Sequence, residues 1–526
     1  MARLFEYQSK KLLKQGGIPV PEGKVVSSPE QAAEAARELG RPVVLKAQVW
    51  ATGRAEKGGI HFADSPEEAR KAAREILAIR ISGLSVEKIL VEEKIDIQSE
   101  YFAGLVIDDA EKSPVMLFSS KGGTGIEEIA RKHPDQVARA YVNVSKGFRE
   151  YEARDLIRQT GVFGKTLTWL SRVLAKFFQV SQKYDARSAE MNPLVLASDG
   201  TVYAADCHFV VDDYAVFRHP DLGIEVAREF DRPPTELEKI AYQVEKNDHR
   251  GTFYFFQMLD EVDEKENVLG FNGAGGGGSM MSMDAVLDQG FKLANYCDTS
   301  GNPSASKVYR AAKIILSQPH IKGYFASGSG VASQEQFHSA RGLTKAFKEE
   351  GLEIPAVLRL GGNFEEKAIE ILHTYLKDIP GKVEGYGRED SPEFCAERMK
   401  KLITDNDFLS HKVRPLQEPE ITEEVYSFQT PTGEIRINQE KCLNCSTKAC
   451  IEACTQNILK LEQQKPVLAI SREDTEKGKC TECLACEIFC TFHEQDAIFI
   501  HLPIKGLKEY REKVIRKQEK CSDRRK

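Results

Sequence analysis

The chain has no surplus of positive charge: 73 Lys and Arg stand against 80 Asp and Glu, a net charge of −7 over 526 residues. A nucleic-acid partner, which favours a basic surface, is therefore not expected. No stretch reaches the roughly 20 apolar residues that a membrane-spanning helix requires. The opening MARLFEYQSKKLLKQGG spaces its apolar residues at helical intervals among charges, and it lacks the apolar core of a secretory leader. A cytoplasmic location is the expectation. Cysteine is sparse outside one short region, where Cys207, Cys297, Cys395 and Cys521 are scattered and read as ordinary thiols. At 526 residues the chain is too long for one core, and two to four domains are expected from a usual size of about 100–200 residues each.

The remaining eight of the twelve cysteines fall between Cys442 and Cys490, in two runs. Cys480, Cys483, Cys486 and Cys490 have the bacterial iron–sulfur spacing, with Thr491 where proline is usual. Cys442, Cys445, Cys450 and Cys454 repeat it with a two-residue insertion. In such runs three thiolates wrap one cluster and the fourth reaches across to the other. The expected sets are Cys442, Cys445, Cys450 and Cys490 for one [4Fe–4S] cluster, and Cys480, Cys483, Cys486 and Cys454 for the second. Zinc and disulfides are the competing uses. Zinc ribbons, however, use two CxxC pairs rather than two four-cysteine runs, and thiolate clusters agree with a reducing compartment.

The rest of the chain alternates short apolar runs with amphipathic stretches. Arg41–Val49, Lys88–Glu92, Tyr101–Asp108 and Val115–Ser119 predict strands, whereas Pro66–Ile79 and Leu156–Phe178 predict helices. A second α/β unit begins near Thr235, with a buried strand at Asn267–Asn272, a glycine run, and further alternation to Leu376. Such alternation implies a mainly parallel sheet covered on both faces. Residues 405–431 are polar and carry Pro415, Pro419 and Pro431, which predicts a linker. The cysteine module fills 432–503, and 504–526 is a basic tail with helical character, expected to be solvated and frayed.

Lys46 lies on a predicted strand and is followed by Gly53-Arg54-Ala55-Glu56-Lys57-Gly58-Gly59. Glycines let backbone N–H groups approach phosphate oxygens, and Lys or Arg neutralises them. A plain hairpin fits the same loop. Its neighbours along the chain are more specific: LFEYQSKKLL (4–13), VVLKAQV (43–49), GRAEKGGI (53–60), ILVE (89–92), SSKGGTGIEEIA (119–130), AEMNPLV (189–195) and FRHPDL (217–222). In this order they resemble the β subunit of succinyl-CoA synthetase and its relatives, the large citryl-CoA synthetase subunit and the N-terminal part of ATP-citrate lyase.

That resemblance implies an ATP-grasp domain over 1–232 and a flavodoxin-like parallel-sheet CoA-ligase domain over 233–404, followed by a small α+β ferredoxin-like module. It implies that Lys46, Gly53, Arg54 and Ala55 contact the phosphates of ATP or GTP. Glu92, Ile95 and Glu100 would take the base and ribose side, Asn192 and Asp206 would hold Mg²⁺, and Glu190 would face a phosphohistidine. Ala55 and His208 replace a glycine and a lysine of the family pattern.

Phe271-Asn272-Gly273-Ala274-Gly275 stands between a predicted strand and helix, where free N–H groups favour an anion. With Asn272, the resemblance implies acid-site roles for Ser300, Gly301, Val331, Ala332 and Ser333. Leu293–Ser304 is closer to the citrate enzymes, and Arg359-Leu360-Gly361-Gly362-Asn363 to the succinate enzyme. A short di- or tricarboxylic or sulfonated acid is therefore expected. The chain lacks a GxGxxG after an N-terminal strand, and none of its 11 histidines lies in a GHAG-type loop. A separate α subunit supplying CoA binding and the phosphohistidine is thus the expected partner, in an NDP-forming acid–CoA ligase. The alternative is an electron-transfer subunit of an acyl-CoA-linked oxidoreductase, with a redox partner and the ligase-like domains as scaffold.

Overall fold

The computed structural model describes the chain except residues 1, 52, 124–125, 127–129, 132–133, 225–231, 247–251, 260–261, 263, 333, 406–410, 417–424, 494–495 and 526. It divides into two compact units, Met1–Pro234 and Thr235–Lys526.

The first unit is built on two larger antiparallel sheets, beside a short pair of strands at Arg80–Ile81 and Leu84–Ser85. Four strands in the order Gly23–Val26, Ile89–Glu93, Val43–Ala47 and Ile60–Ala63 form the smaller one. Helices Pro29–Leu39 and Pro66–Ala78 pack on it through alanines, among them Ala32, Ala36, Ala69 and Ala73. Both begin with Ser-Pro-Glu, and Ser28 and Ser65 accept hydrogen bonds from the backbone N–H of Gln31 and Glu68, so each start is fixed locally. The larger sheet runs Ala2–Arg3, Cys207–Val211, Ala186–Ala197, Ile97–Asp108, Ser113–Ser119, Val137–Tyr141, with Val202–Ala204 beside Ala186–Ala197. The helix expected over Leu156–Phe178 is two helices, Glu150–Arg158 and Gly164–Lys183. Gly161 and Gly164 take left-handed φ of 81° and 69° and break it, which apolar spacing alone does not reveal.

The second unit is built on a mostly parallel sheet in the order Tyr254–Gln257, Asn295–Asp298, Val268–Ala274, Gly323–Gly328, Ala356–Arg359, Val383–Tyr386. Only Tyr254–Gln257 in that path is antiparallel to its neighbour. Helices Gly277–Asp288 and Pro392–Thr404 pack together on one face, enclosing Phe271, Phe325 and Met399. Helices Ala305–Ile315 and Phe337–Glu350 pack together on the other.

The cysteine region joins this second unit rather than trailing from it. Val425–Gln429, inside the expected linker, is a strand that pairs with Glu434–Asn438, which in turn pairs with Ile498–His501. Phe428, Ile435 and Ile500 belong to the same apolar cluster as Leu343 and Phe347. Arg310 holds both ends of the module, donating to the carbonyl and hydroxyl oxygens of Thr432 at 2.9 and 2.8 Å and to the Pro503 carbonyl at 3.3 Å.

The basic tail departs most from expectation. Leu507–Arg525 is helical, and Arg511 is only 1% exposed. Its guanidinium donates to Glu350 at 3.0 Å, to Ser317 Oγ at 2.7 Å and to the Lys313 and Arg414 carbonyls. Burial alone would raise the Glu350 carboxyl pKa, but Arg511 and Lys313 hold it below the usual carboxylate value. A composition of Lys and Arg predicts solvation; a buried carboxylate overrides it, because an unpaired charge in the interior is costly. Glu350→Ala should strand both cations and cost about 3–5 kcal/mol, read as a lower urea midpoint for amide exchange in residues 235–526.

Candidate functional site

In the first unit six charged side chains close into one buried network. Glu6 opens the Glu6–Gln15 helix and points one carboxylate oxygen at Lys10, 2.8 Å away and one turn on, and at Lys46, 3.1 Å away. Its other oxygen lies 2.8 Å from Arg54. Glu92 on Ile89–Glu93 takes Lys46 at 2.6 Å and Lys10 at 2.5 Å. Arg54 also meets Asp206 at 2.7 Å. Both lysines donate to the Ala205 carbonyl, at 2.7 Å from Lys10 and 2.6 Å from Lys46.

Three cations thus balance three carboxylates. Burial alone would lift the Glu6 carboxyl, but Lys10, Lys46 and Arg54 hold it well below the carboxylate range. Burial works the other way on Lys46 and Arg54, and the facing carboxylates carry both above their ordinary values. Lys46 and Arg54 therefore remain charged at neutral pH.

A place for a hard cation adjoins this network. Asp206 Oδ2 meets Arg54, while its Oδ1 is buried with no hydrogen-bond partner. The Asn192 backbone N–H donates to the Asp206 carbonyl at 3.0 Å, so the two residues are neighbours. Asn192 Oδ1 accepts from the Gly123 N–H at 2.9 Å. An orphaned carboxylate oxygen beside an amide oxygen is the donor chemistry Mg²⁺ prefers. His208 Nε2 is 3.9 Å from Asp206 Oδ1.

Gly53 has a left-handed φ of 66° and Ala55 is exposed, at the tip of the loop that carries Arg54 inward. Glu190 pairs in register with Gly104 and His208 in the large sheet. Ile95 lies between Ile89–Glu93 and Ile97–Asp108, and Glu100 stands beside Gly123. Glu92 has both oxygens engaged by lysines, so here it anchors cations. Sequence reasoning gave no role to Glu6 or Lys10, although both stand in the LFEYQSKKLL segment; only the fold shows what they face.

In the second unit a cavity opens at the carboxyl ends of the parallel strands. Asn272, Ser327, Ser329, Ala332, Gln336 and Arg359 are among its walls. Asn272 Nδ2 donates to Tyr324 Oη at 2.9 Å. Arg359 donates to the carbonyls of Gly328, Arg388 and Asp390, which fixes the cavity rim.

The glycine run holds an anion that the chain itself provides. The Asp298 carboxylate accepts from the N–H groups of Gly275 at 3.2 Å, Gly276 at 2.7 Å and Ser300 at 2.7 Å, and from Ser279 Oγ at 3.1 Å. Gly275 and Gly276 have φ of 96° and 44°, which leaves room for that close approach. Asp298 was not singled out in the sequence. Ser300 and Gly301 follow it after Thr299, Val331 is 80% exposed, and Ser333 lies outside the described residues.

The eight cysteines gather around two small hollows. Cys454, Cys480, Cys483 and Cys486 line the first, and Cys442, Cys445, Cys450 and Cys490 line the second. The fourth cysteine of each run therefore stands with the other three-cysteine set. Cys490 Sγ accepts from the Ala497 N–H at 3.2 Å, and Cys445 Sγ from the Lys448 N–H at 3.4 Å. Among the described residues no three His, Cys, Asp or Glu close around a single ion.

The family model described as an ATP-grasp domain matches residues 3–196, and that described as ATP citrate lyase citrate-binding matches 259–389. Both matches end before Cys442. The GDP-forming succinate–CoA ligase β subunit of Thermus thermophilus is 39% identical over 369 residues, 70% of this chain and 93% of that protein. An ADP-forming succinate–CoA ligase β subunit of Archaeoglobus fulgidus is 38% identical over 379 residues, 72% of this chain and 94% of that one. The solved structure of ATP citrate lyase from Methanothrix soehngenii, in complex with citrate and coenzyme A, superposes with a TM-score of 0.60 at 18% identity. It covers 77% of this chain and 99% of that chain, a likeness of fold.

Glu6→Gln should leave three cations facing two carboxylates. Because the folded Glu6 pKa is depressed, its contribution is present above the unfolded value near 4.3 and is lost as pH falls through the folded one. The variant should unfold at lower urea at pH 7, and its first unit should lose less stability than wild type on acidification below about pH 4.

Proposed function

We propose a function from one established premise: this chain belongs to the succinate–CoA ligase β-subunit family. It is the β-type subunit of an NDP-forming acid–thiol ligase. The finer assignments, that it joins a short di- or tricarboxylic acid to CoA at the expense of ATP or GTP and works with an α subunit supplying a phosphohistidine, are inferred. The single observation that carries the phosphate chemistry is the closed network of Glu6, Lys10, Lys46, Arg54, Glu92 and Asp206.

A neutral network buried at a nucleotide site is a store of cations already desolvated. An arriving triphosphate competes with Asp206 for Arg54 and with Glu6 and Glu92 for Lys46. The guanidinium offers a planar fork to phosphate oxygens, and the ammonium a point charge. Asp206, released from Arg54, then has both oxygens available. With Asn192 it would hold Mg²⁺, which supplies charge neutralisation on the phosphates. Transfer of a phosphoryl group depends mainly on positioning and on such charge compensation. Glu190 would orient the partner's histidine.

The acid is assigned to the cavity walled by Asn272, Ser327, Ser329, Gln336 and Arg359. Asp298 fills the cradle ahead of Gly277–Asp288, so substrate carboxylates would be read by the hydroxyls and amides across the cavity. The eight cysteines would hold two [4Fe–4S] clusters, which supply one-electron chemistry when bound. Their support is the exchange of the fourth cysteine between runs and the hollows left between the sulfurs. The electron-transfer alternative draws on the same module and predicts colour without acid-dependent nucleotide turnover.

Purified anaerobically with its α subunit, the protein should release ADP or GDP over repeated turnovers, beyond the one equivalent set free on phosphorylating the histidine, only when acid and CoA are both present. Asp206→Ala should lower that rate at least 100-fold while leaving the brown chromophore intact. Iron should approach about eight per chain for two four-iron clusters; turnover that survives Asp206→Ala would refute the metal assignment.

A further inference from the structure

One cation of the ligase-type domain has no role in the acid cavity. Gln336, Ser339 and Leu343 face that cavity, the latter two from helix Phe337–Glu350. Arg341 and Lys345, four residues apart, lie on the opposite side of the helix. That side packs against Ala485–Phe492, the helix that carries Cys486 and Cys490. Lys345 is matched: its Nζ lies 2.5 Å from Glu487 and 2.8 Å from Glu349, and 4.3 Å from the centre of the Phe499 ring. Arg341 is not matched by any carboxylate in this way. It is 5% exposed, its guanidinium stacks 4.6 Å from the Phe337 ring, and its Nε is buried without a hydrogen-bond acceptor. Burial depresses its pKa, while the Cys483 and Cys486 thiols, near enough to act on it, oppose that.

The carboxylates around this hollow leave the cysteines uncompensated. Glu482 accepts from Thr430 and Thr432, and Glu487 is taken by Lys345. Four thiolates gathered here would add negative charge that the module's own sequence does not balance. A buried guanidinium whose Nε lacks an acceptor, on a helix packed against the one that carries Cys486, answers that need.

We propose that Arg341, supplied by the acid-binding domain, is the counter-ion and N–H donor to the cluster held by Cys454, Cys480, Cys483 and Cys486. This rests on the two-cluster assignment proposed above. Gaining an electron makes a cluster site one unit more negative, so a fixed cation favours the reduced form and raises the midpoint potential. Arg341 thereby sets one of the two potentials from outside the cysteine motif.

The test is an EPR-monitored redox titration of the anaerobic full-length protein, with dithionite as the one-electron reductant, alongside iron analysis. In Arg341→Gln, one of the two cluster signals should lose at least tenfold in its reduced-to-oxidised ratio at fixed potential. That corresponds to a midpoint about 59 mV lower for one electron, with the other signal shifted less. Arg341→Lys, which keeps the charge, should recover most of the shift. An unchanged titration in Arg341→Gln overturns the proposal. Should Arg341→Gln fail to retain iron, Arg341→Lys decides: iron retained with a near-normal midpoint supports the cationic role, and loss in both variants overturns it in favour of packing alone. Wild-type protein without iron would instead refute the cluster assignment.

Discussion

Where carboxylates and cations crowd together in the interior of this protein they neutralise one another, and that requirement organises both units. Moving one charge from water into the interior costs several kcal/mol even after relaxation. In the first unit the requirement produces the network around Glu6 and Glu92, with equal numbers of cations and carboxylates. In the second it produces Lys313, Glu350 and Arg511, and separately Lys345, Glu349 and Glu487. The first group waits for a ligand more highly charged than the carboxylates it now holds. The others fasten a cysteine module and a terminal helix to a doubly wound sheet.

The fold was largely legible because its signals are local. Ser-Pro-Glu at 28–30 and 65–67 starts two helices, and β-branched runs such as Val43–Leu45 make buried strands. The cysteines likewise stand in the two groups of four that line the two hollows. Three features escaped: one is a local break at two glycines, and two rest on partners that only the fold brings up. Gly161 and Gly164 interrupt an apolar pattern that would otherwise continue. Arg511 looks like any basic residue until Glu350 is found beneath it. Val425–Gln429 reads as linker because its partner strands, Glu434–Asn438 and beyond it Ile498–His501, are supplied by the module.

The site was legible unevenly. Lys46, Arg54, Asn192 and Asp206 come together as the family pattern implies, yet Glu6 and Lys10 carry as much of the charge balance. On the acid side the glycine turn was visible, but not the Asp298 carboxylate that occupies it from 22 to 23 residues downstream. A turn shaped for an anion does not announce whose anion it holds. The mixed likeness to succinate and citrate enzymes fits this geometry, since reading of the acid passes to loop hydroxyls and amides that tolerate substitution.

Arg310 reaches the entry of the cysteine module at Thr432 and its exit at Pro503 with one guanidinium. The intervening polypeptide is therefore a closed loop whose ends stay together whatever happens inside it. Local opening of the segments between those two points would loosen the interior of the loop but leave its mouth pinned, with the closure entropy already spent.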